Sequence, residues 1–172
     1  ARLVGSEMCI RDSWDTEQCK VKAFDKAAVL QAFFDRSAEQ RIYSLRPIHT
    51  YGNWSGQSPF KVQKPLGNKP IGVITRATLN PNRLLDFWRH VPQASRAIKQ
   101  AKGVGFFKGI GEWPFVQQAT FSVWESAEAI RTFAYVSQAH ASIVKKTRQR
   151  KWYKEDMFNR FEVLSEEETP LI

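Results

Sequence analysis

The chain has 172 residues, of which 42% are hydrophobic, 25% charged and 13% aromatic. These values suit one compact domain, or one complete lobe with part of another, and they exclude a disordered protein. No apolar run in the sequence approaches the length that crosses a bilayer, which excludes a membrane-spanning segment within it.

Basic residues outnumber acidic residues by 26 to 17, giving a net charge of +9. A solvated basic surface explains the excess, and the alternatives are an anionic membrane surface, an acidic redox partner or nucleic acid. Cys9 and Cys19 have neither a metal-ligand spacing nor the pattern of a disulfide framework. We therefore expect a reducing, cytoplasmic location.

The first segment, ARLVGSEMCIRDS, has no hydrophobic period and no signal-peptide layout. Arg2–Ser13 resemble the translation of a transposon-end oligonucleotide used as a sequencing adapter. We therefore interpret residues 1–13 as a non-native peptide and expect the native N-terminus, ahead of Trp14, to be missing.

Residues 14–51 read as the end of a strand, an amphipathic helix and a further strand. In that strand, IYSLRPIHTY, Pro47 favours an edge position or a break. Residues 52–70 form a connector rich in Gly, Pro, Ser, Asn and Lys, and its length suggests a lid or a linker between lobes. One apolar stripe defines the helix: Val29, Leu30, Phe33 and Phe34.

The segment IGVITRATL, Ile71–Leu79, predicts a strand, and Asn80 and Pro81 then suit the start of a helix. We expect Pro92 to kink or interrupt this helix. Its buried side is predicted to carry Leu84, Leu85 and Trp88.

The next two strands are predicted at Val104–Ile110 and Gln117–Trp124, joined by the turn GEWP. A long helix from Ser126 to about Lys151 follows, because apolar residues recur there at helical spacing. MFNRFEVL predicts the last strand, and we expect the acidic tail, residues 166–172, to fray.

Residues 71–165 thus read β-α-β-β-α-β, which predicts an α+β fold: an antiparallel ferredoxin-like sheet with both helices on one face. The other face needs a cover, and a second similar lobe would provide it. We interpret residues 14–51 as the last part of that lobe.

Several segments together resemble spheroidene monooxygenases and their relatives in the dimeric α/β-barrel superfamily. They are WSGQSPF, GVITRATLNPNRLLDFWRHVPQAS, GIGEWPFVQQATFSVW, FAYVSQAH and RQRKWYKEDMFNRFEVLS. Their order and spacing extend across nearly all of residues 54–165.

The resemblance implies a bacterial monooxygenase of carotenoid biosynthesis with two ferredoxin-like lobes. It implies haem as cofactor, and oxygen from dioxygen inserted at the end of a linear carotenoid. No flavin or nicotinamide motif is present, so the electrons would come from a partner, which the resemblance suggests is a ferredoxin.

His140 has two competing interpretations, a core residue or a ligand of haem iron. Its spacing places it on the apolar side of the long helix, between Val136 and Val144. Spacing alone favours a core histidine bonded to a carbonyl, whereas the resemblance favours a ligand of haem iron. A ligand would point into a cavity between helix and sheet, bordered by strand residues such as Arg76.

Three basic residues on predicted strands are candidates for haem propionates. Arg76 is either a propionate partner or one half of a salt bridge between lobes. Arg160 has the same two interpretations as Arg76. Lys108 is either a propionate partner or an exposed lysine.

Trp88, Phe106 and Phe121 are core residues, some of which could line an apolar channel for a polyene. Gln118 offers a polar group near such a channel, or ordinary sheet hydrogen bonds.

Two other functions compete with the haem oxygenase. One is a cofactor-free α/β-barrel protein, either a binder of small molecules or a degenerate subunit. The other is a nucleic-acid binder, which we do not expect because no convincing binding-strand motif is present. The basic end of the long helix suggests peripheral contact with an anionic membrane, where a carotenoid resides.

Overall fold

The computed structural model describes residues 17–28, 31–32, 35, 40–58, 60–112, 115–136 and 138–169. The chain forms two compact units, one of Tyr43–Ser165 and one of Ala1–Ile42 with Glu166–Ile172. The adapter-like peptide and the predicted stripe of residues 29, 30, 33 and 34 lie outside the described residues.

The described strands are β1 Gln40–Gly52, β2 Ile71–Leu79, β3 Val104–Glu112, β4 Gln117–Trp124 and β5 Tyr153–Thr169. They form one sheet in the order β1-β5-β2-β4-β3. Strand β2 pairs antiparallel with β4 and β5, and β3 pairs antiparallel with β4. The order of β2 to β5 is the one that two right-handed βαβ units produce, so the ferredoxin-like α+β prediction is confirmed.

The helices of the described residues are α1 Glu17–Lys26, α2 Leu84–Lys99, α3 Ala127–Arg131 and α4 Gln138–Arg150. Ser126 caps α3, since its hydroxyl accepts a hydrogen bond from the Ala129 N–H at 3.2 Å. A π-helical turn, Thr132–Val136, follows α3, so the predicted single helix from Ser126 is divided. Within the described stretches, no helix is both long enough and apolar enough to cross a membrane.

Helices α2 and α4 pack on the face of the sheet that we call the helix face. Side chains of β2 alternate, so that Val73 and Leu79 point to this face. Leu79 is 1% exposed and lies in a cluster with Phe87 of α2 and Ile143 of α4. The helix face therefore contains an apolar core in two clusters, one around Val73 and one around Leu79.

The structure corrects the sequence prediction for α2 at two residues. The helix continues through Pro92, so Pro92 does not interrupt it, and residues on either side, Phe87 and Ile98, both pack against the sheet. The kink expected at Pro92 stays a prediction. Leu85 is 76% exposed, because the buried stripe runs through Leu84 and Trp88 at helical spacing instead.

The opposite face, which we call the connector face, is also covered. Trp54 and Phe60 of the connector and Tyr43 and Leu45 of β1 pack against its apolar cluster. The connector thus covers a face for which the sequence predicted a second lobe. The cluster consists of Ile74, Phe121, Val123, Met157, Phe161 and Val163.

Strand β1 lies at the edge of the sheet, beside β5, which agrees with Pro47 marking an edge strand. The Asn53 N–H donates to the Asp156 carbonyl at 3.1 Å, which ties the end of β1 to the start of β5. The assignment of residues 14–51 to a partial first lobe stays a prediction.

Strand β5 continues to Thr169, so the predicted fraying is wrong for residues 166–169. Arg41 donates to the Glu168 carboxylate at 2.7 Å and lies 4.0 Å from Glu166. These ion pairs give the acidic end of the strand a partner that its own sequence does not reveal.

Candidate functional site

The register of the sheet separates the predicted site residues by face. Ile74 of the connector face is paired with Phe121 on one side and Asn159 on the other. Arg76, two residues along β2, lies on the same face because side chains alternate. Four predicted residues share the connector face: Arg76, Phe106, Lys108 and Phe121.

Gln118 and Arg160 lie on the helix face, paired with Ala77 and Val73 of β2. His140 belongs to α4, which packs on that same face, and its side chain lies outside the described residues. Arg76 therefore cannot border a cavity between α4 and the sheet, and that expectation was wrong.

Arg76 is 5% exposed and held by contacts within the chain. Its guanidinium donates to Gln117 Oε1 at 2.9 Å, and its guanidinium carbon lies 4.3 Å from the ring centroid of Trp54. A planar cation stacked on an indole is a favourable cation–π contact. Arg76 thus fastens the connector to the sheet.

Arg160 is half-buried, and its guanidinium carbon lies 5.3 Å from the ring centroid of Phe158. Its Nε is buried and has no hydrogen-bond partner in the described structure. An unpartnered buried donor is costly unless a ligand or water completes it. Lys108, on the other face, is half-buried.

Trp88 is a packing residue of the helix side. Its indole N–H donates to the Phe115 carbonyl at 2.9 Å, and its ring lies edge-on to Phe87 with centroids 5.3 Å apart. These contacts explain Trp88 without a substrate.

Asp86 joins α2 to the chain just after α4. The Trp152 indole N–H donates to its carboxylate at 2.7 Å, and this bond and the nearby Arg150 lower the pKa of Asp86. His90 hydrogen-bonds the Asp86 carbonyl through Nδ1 at 2.8 Å, which is a structural role. No three His, Cys, Asp or Glu side chains of the described residues come together as a metal site.

Asn159 is a polar residue at the centre of the connector face that the sequence predictions missed. Its side chain is 0% exposed, and neither Oδ1 nor Nδ2 has a hydrogen-bond partner in the described structure. Met157 and Phe161 flank it along β5, and Ile74 lies opposite it. The alternation of MFNRFEVL does hold the signal, because it places one amide among apolar side chains.

Two glutamates of β5 bind the connector. Glu162 accepts the N–H groups of Leu66 and Gly67, both at 2.7 Å. Glu155 accepts the N–H groups of Gly56 and Ser55 at 2.8 and 3.1 Å. These backbone donors lower the pKa of both carboxyl groups, and the sequence predictions missed the arrangement.

Solved structures confirm the fold. A putative monooxygenase from Fusobacterium nucleatum aligns with a TM-score of 0.55 at 11% identity, over 89% of this chain and 67% of its own. A putative antibiotic biosynthesis monooxygenase from Nitrosomonas europaea aligns with a TM-score of 0.50 at 9% identity, over 59% of this chain and 96% of its own. At these identities the likeness shows the fold alone.

No protein-family model matches the chain. Among curated proteins, it is 33% identical to the spheroidene monooxygenase of Cereibacter sphaeroides over 153 residues, which are 88% of this chain and 47% of that protein. It is 29% identical to that of Rhodobacter capsulatus over 92% of this chain and 67% of the relative. It is 32% identical to the spheroidene monooxygenase of Rubrivivax gelatinosus over 81% of this chain and 54% of that protein. The chain, which spans about half to two-thirds of the length of these relatives, is related in sequence to the spheroidene monooxygenases.

Proposed function

We propose that the protein is a monooxygenase that inserts oxygen at the end of a linear carotenoid. The observation that carries this proposal is the similarity to three spheroidene monooxygenases over 81–92% of the chain. The fold, shared with proteins described as putative monooxygenases, is compatible with it. Carotenoid biosynthesis is the role that this activity would serve.

Haem is the cofactor we propose, and it would supply the activation of dioxygen. Residues on the helix face of the sheet fit this cofactor. Arg160 presents an unpartnered buried N–H on the helix face, the same face against which α4 with His140 packs. A guanidinium suits a propionate and an imidazole suits iron, so these are the two residues we assign to haem. Arg76 and Lys108 occupy the other face and are not part of this assignment.

The remaining partners follow from the chemistry. A monooxygenase needs dioxygen and an electron donor, and we propose a ferredoxin as the donor. The basic end of α4 suits an acidic partner or an anionic lipid surface, so we propose a cytoplasmic protein with peripheral membrane contact. That end carries Lys145, Lys146, Arg148 and Arg150.

Haem reconstitution tests the assignment. The chain is mixed with haem, freed of excess, and its Soret absorption is compared with that of four variants. His140→Ala should abolish haem retention, and Arg160→Gln should weaken it about tenfold, as loss of a charge-assisted hydrogen bond does. Arg76→Gln should leave it unchanged, and His49→Ala, at an exposed histidine of β1, is the matched control.

A wild-type chain that acquires no Soret band would favour the cofactor-free alternative. Retention by His140→Ala would overturn the ligand assignment. Oxygenation is then measured by incubating the haem-loaded chain with a linear carotenoid, dioxygen and reduced ferredoxin. Mass spectrometry should find a product heavier by one oxygen atom.

A further inference from the structure

We propose that Asn159 recognises the hydroxyl group of an otherwise apolar, linear ligand that binds between the connector face and the connector. The ligand class rests on the proposed function, whereas the recognition residue follows from the geometry of this face. Because the proposed haem residues lie on the helix face, Asn159 would hold the end of the ligand that is not oxygenated, and the haem assignment does not depend on it.

Asn159 is fully buried, yet both polar atoms of its side chain lack a partner in the described structure. Burial of an amide without hydrogen bonds costs roughly 1–3 kcal/mol per unsatisfied group. A bound molecule that completes these hydrogen bonds would remove this cost.

The surroundings of Asn159 are largely apolar. Met157, Phe161 and Ile74, which adjoin Asn159 on this face, are 2%, 2% and 9% exposed. The neighbouring polar side chain, Arg76, is already bound to Gln117. Apart from Arg76, these neighbours are apolar, so the amide is an unpartnered polar group in an apolar setting, which fits a molecule that is apolar except at one position.

The two polar atoms of the amide limit the ligand group that can pair with it. Nδ2 donates hydrogen bonds and Oδ1 accepts them, so the ligand group that completes both must accept and donate. A hydroxyl does so with one oxygen atom. A hydrocarbon end would leave both atoms unpaired, and an ether or a ketone would complete Nδ2 alone.

The connector covers this face around Asn159. Trp54 and Phe60 pack against the cluster around Asn159, and the Phe60 and Phe161 rings meet edge-on with centroids 4.9 Å apart. The connector that carries these aromatic residues is bound to β5 at two turns by Glu155 and Glu162. A ligand would reach Asn159 when the part of the connector between these turns, which carries Phe60, lifts from the sheet.

The experiment compares two probes, lycopene and its terminally hydroxylated derivative rhodopin. Binding of each to the chain in detergent is followed by quenching of tryptophan fluorescence. The wild type should bind rhodopin about fivefold to tenfold more tightly than lycopene, the size of one or two net hydrogen bonds. Asn159→Leu, which keeps the volume and removes both polar atoms, should bind the two probes equally.

Asn80→Leu is the matched control, because the same substitution there removes an amide that has partners. Asn80 Nδ2 donates to the carbonyls of Lys151 and Tyr153 at 2.6 and 3.3 Å. This variant should melt at a lower temperature and keep the preference for rhodopin. Asn159→Leu should melt at or above the wild-type temperature, since it removes an unpartnered buried amide.

Three results would overturn the inference, and they differ in what else they affect. Equal binding of both probes by the wild type removes the role of Asn159 and leaves the proposed function intact. Binding of neither probe removes the carotenoid ligand as well. A melting temperature of Asn159→Leu well below that of the wild type would make Asn159 a structural residue.

Discussion

The backbone N–H of Gly56 donates to the carboxylate of Glu155 at 2.8 Å, across 99 residues of sequence. Ser55 donates to the other oxygen, and both residues have positive φ, 52° for Ser55 and 78° for Gly56. Successive N–H groups in such a turn converge on an anion. Because Glu162 binds Leu66 and Gly67 in the same way, two carboxylates hold the connector on β5.

Replacing either carboxylate should loosen its own turn. In Glu155→Gln the amide keeps one acceptor oxygen but turns an NH₂ group towards the second backbone N–H. Amide hydrogen exchange at Ser55 and Gly56 should accelerate roughly fivefold, with Leu66 and Gly67 unchanged. Glu162→Gln should show the reverse pattern.

Glu128→Gln serves as the control for these variants. Glu128 is exposed and pairs with Arg131 within one helix, so its replacement should change exchange at neither turn. Equal acceleration at both turns in a single-site variant would show that the carboxylates do not hold the connector independently.

Gly52 is predicted to be intolerant of any side chain. Its φ is +76°, and a Cβ atom there would lie 2.1 Å from the Asp156 carbonyl oxygen. Gly52→Ala should lower the free energy of unfolding by more than about 2 kcal/mol, the sum of a left-handed backbone penalty and a backbone clash. Gly56, with φ +78° and nothing within 4 Å of a Cβ, separates the two effects.

Gly56→Ala should lower the free energy of unfolding by about 1 kcal/mol only, the backbone penalty alone. Urea unfolding followed by tryptophan fluorescence measures both variants. A similar loss in the two would mean that the end of β1 shifts to relieve the clash.

The sequence was sufficient for the fold of residues 71–165 because its signals are local. Alternation in IGVITRATL and QQATFSVW predicts strands, and strand–helix order then restricts the topology. The same alternation places Arg76 with Ile74, away from Val73, as the register confirms. The error was to place Arg76 beside α4, which requires knowing the face on which the helices pack.

What sequence reasoning missed depends on contacts between distant segments. The connector is irregular, and its position follows from backbone donors that meet Glu155 and Glu162, each 95–100 residues away. Leu85 was misplaced because one residue of helical offset turns a side chain by about 100°. The alternation of side chains along β5 could have placed Asn159 on the apolar face. Only the structure shows that its amide has no hydrogen-bond partner among the described residues.

The two glutamates of β5 also predict a pH dependence. The folded chain lowers the pKa of Glu155 through the N–H groups of Gly56 and Ser55, and that of Glu162 through those of Leu66 and Gly67. A carboxyl group whose pKa is lower in the folded state binds protons more weakly there than in the unfolded chain. Its stabilisation is therefore complete above the ordinary glutamate range and is lost as the pH falls through that range to the folded pKa.

Stability should consequently decline as the pH falls below about 5, into and below the ordinary glutamate range, in urea unfolding followed by tryptophan fluorescence. The double variant Glu155→Gln/Glu162→Gln should be less stable than the wild type at neutral pH and lose much of this acid dependence. Some slope should remain, because Asp86 also has a lowered pKa, caused first by the hydrogen bond from Trp152. An acid decline as steep in the double variant as in the wild type would show that neither carboxylate stabilises the fold through its charge.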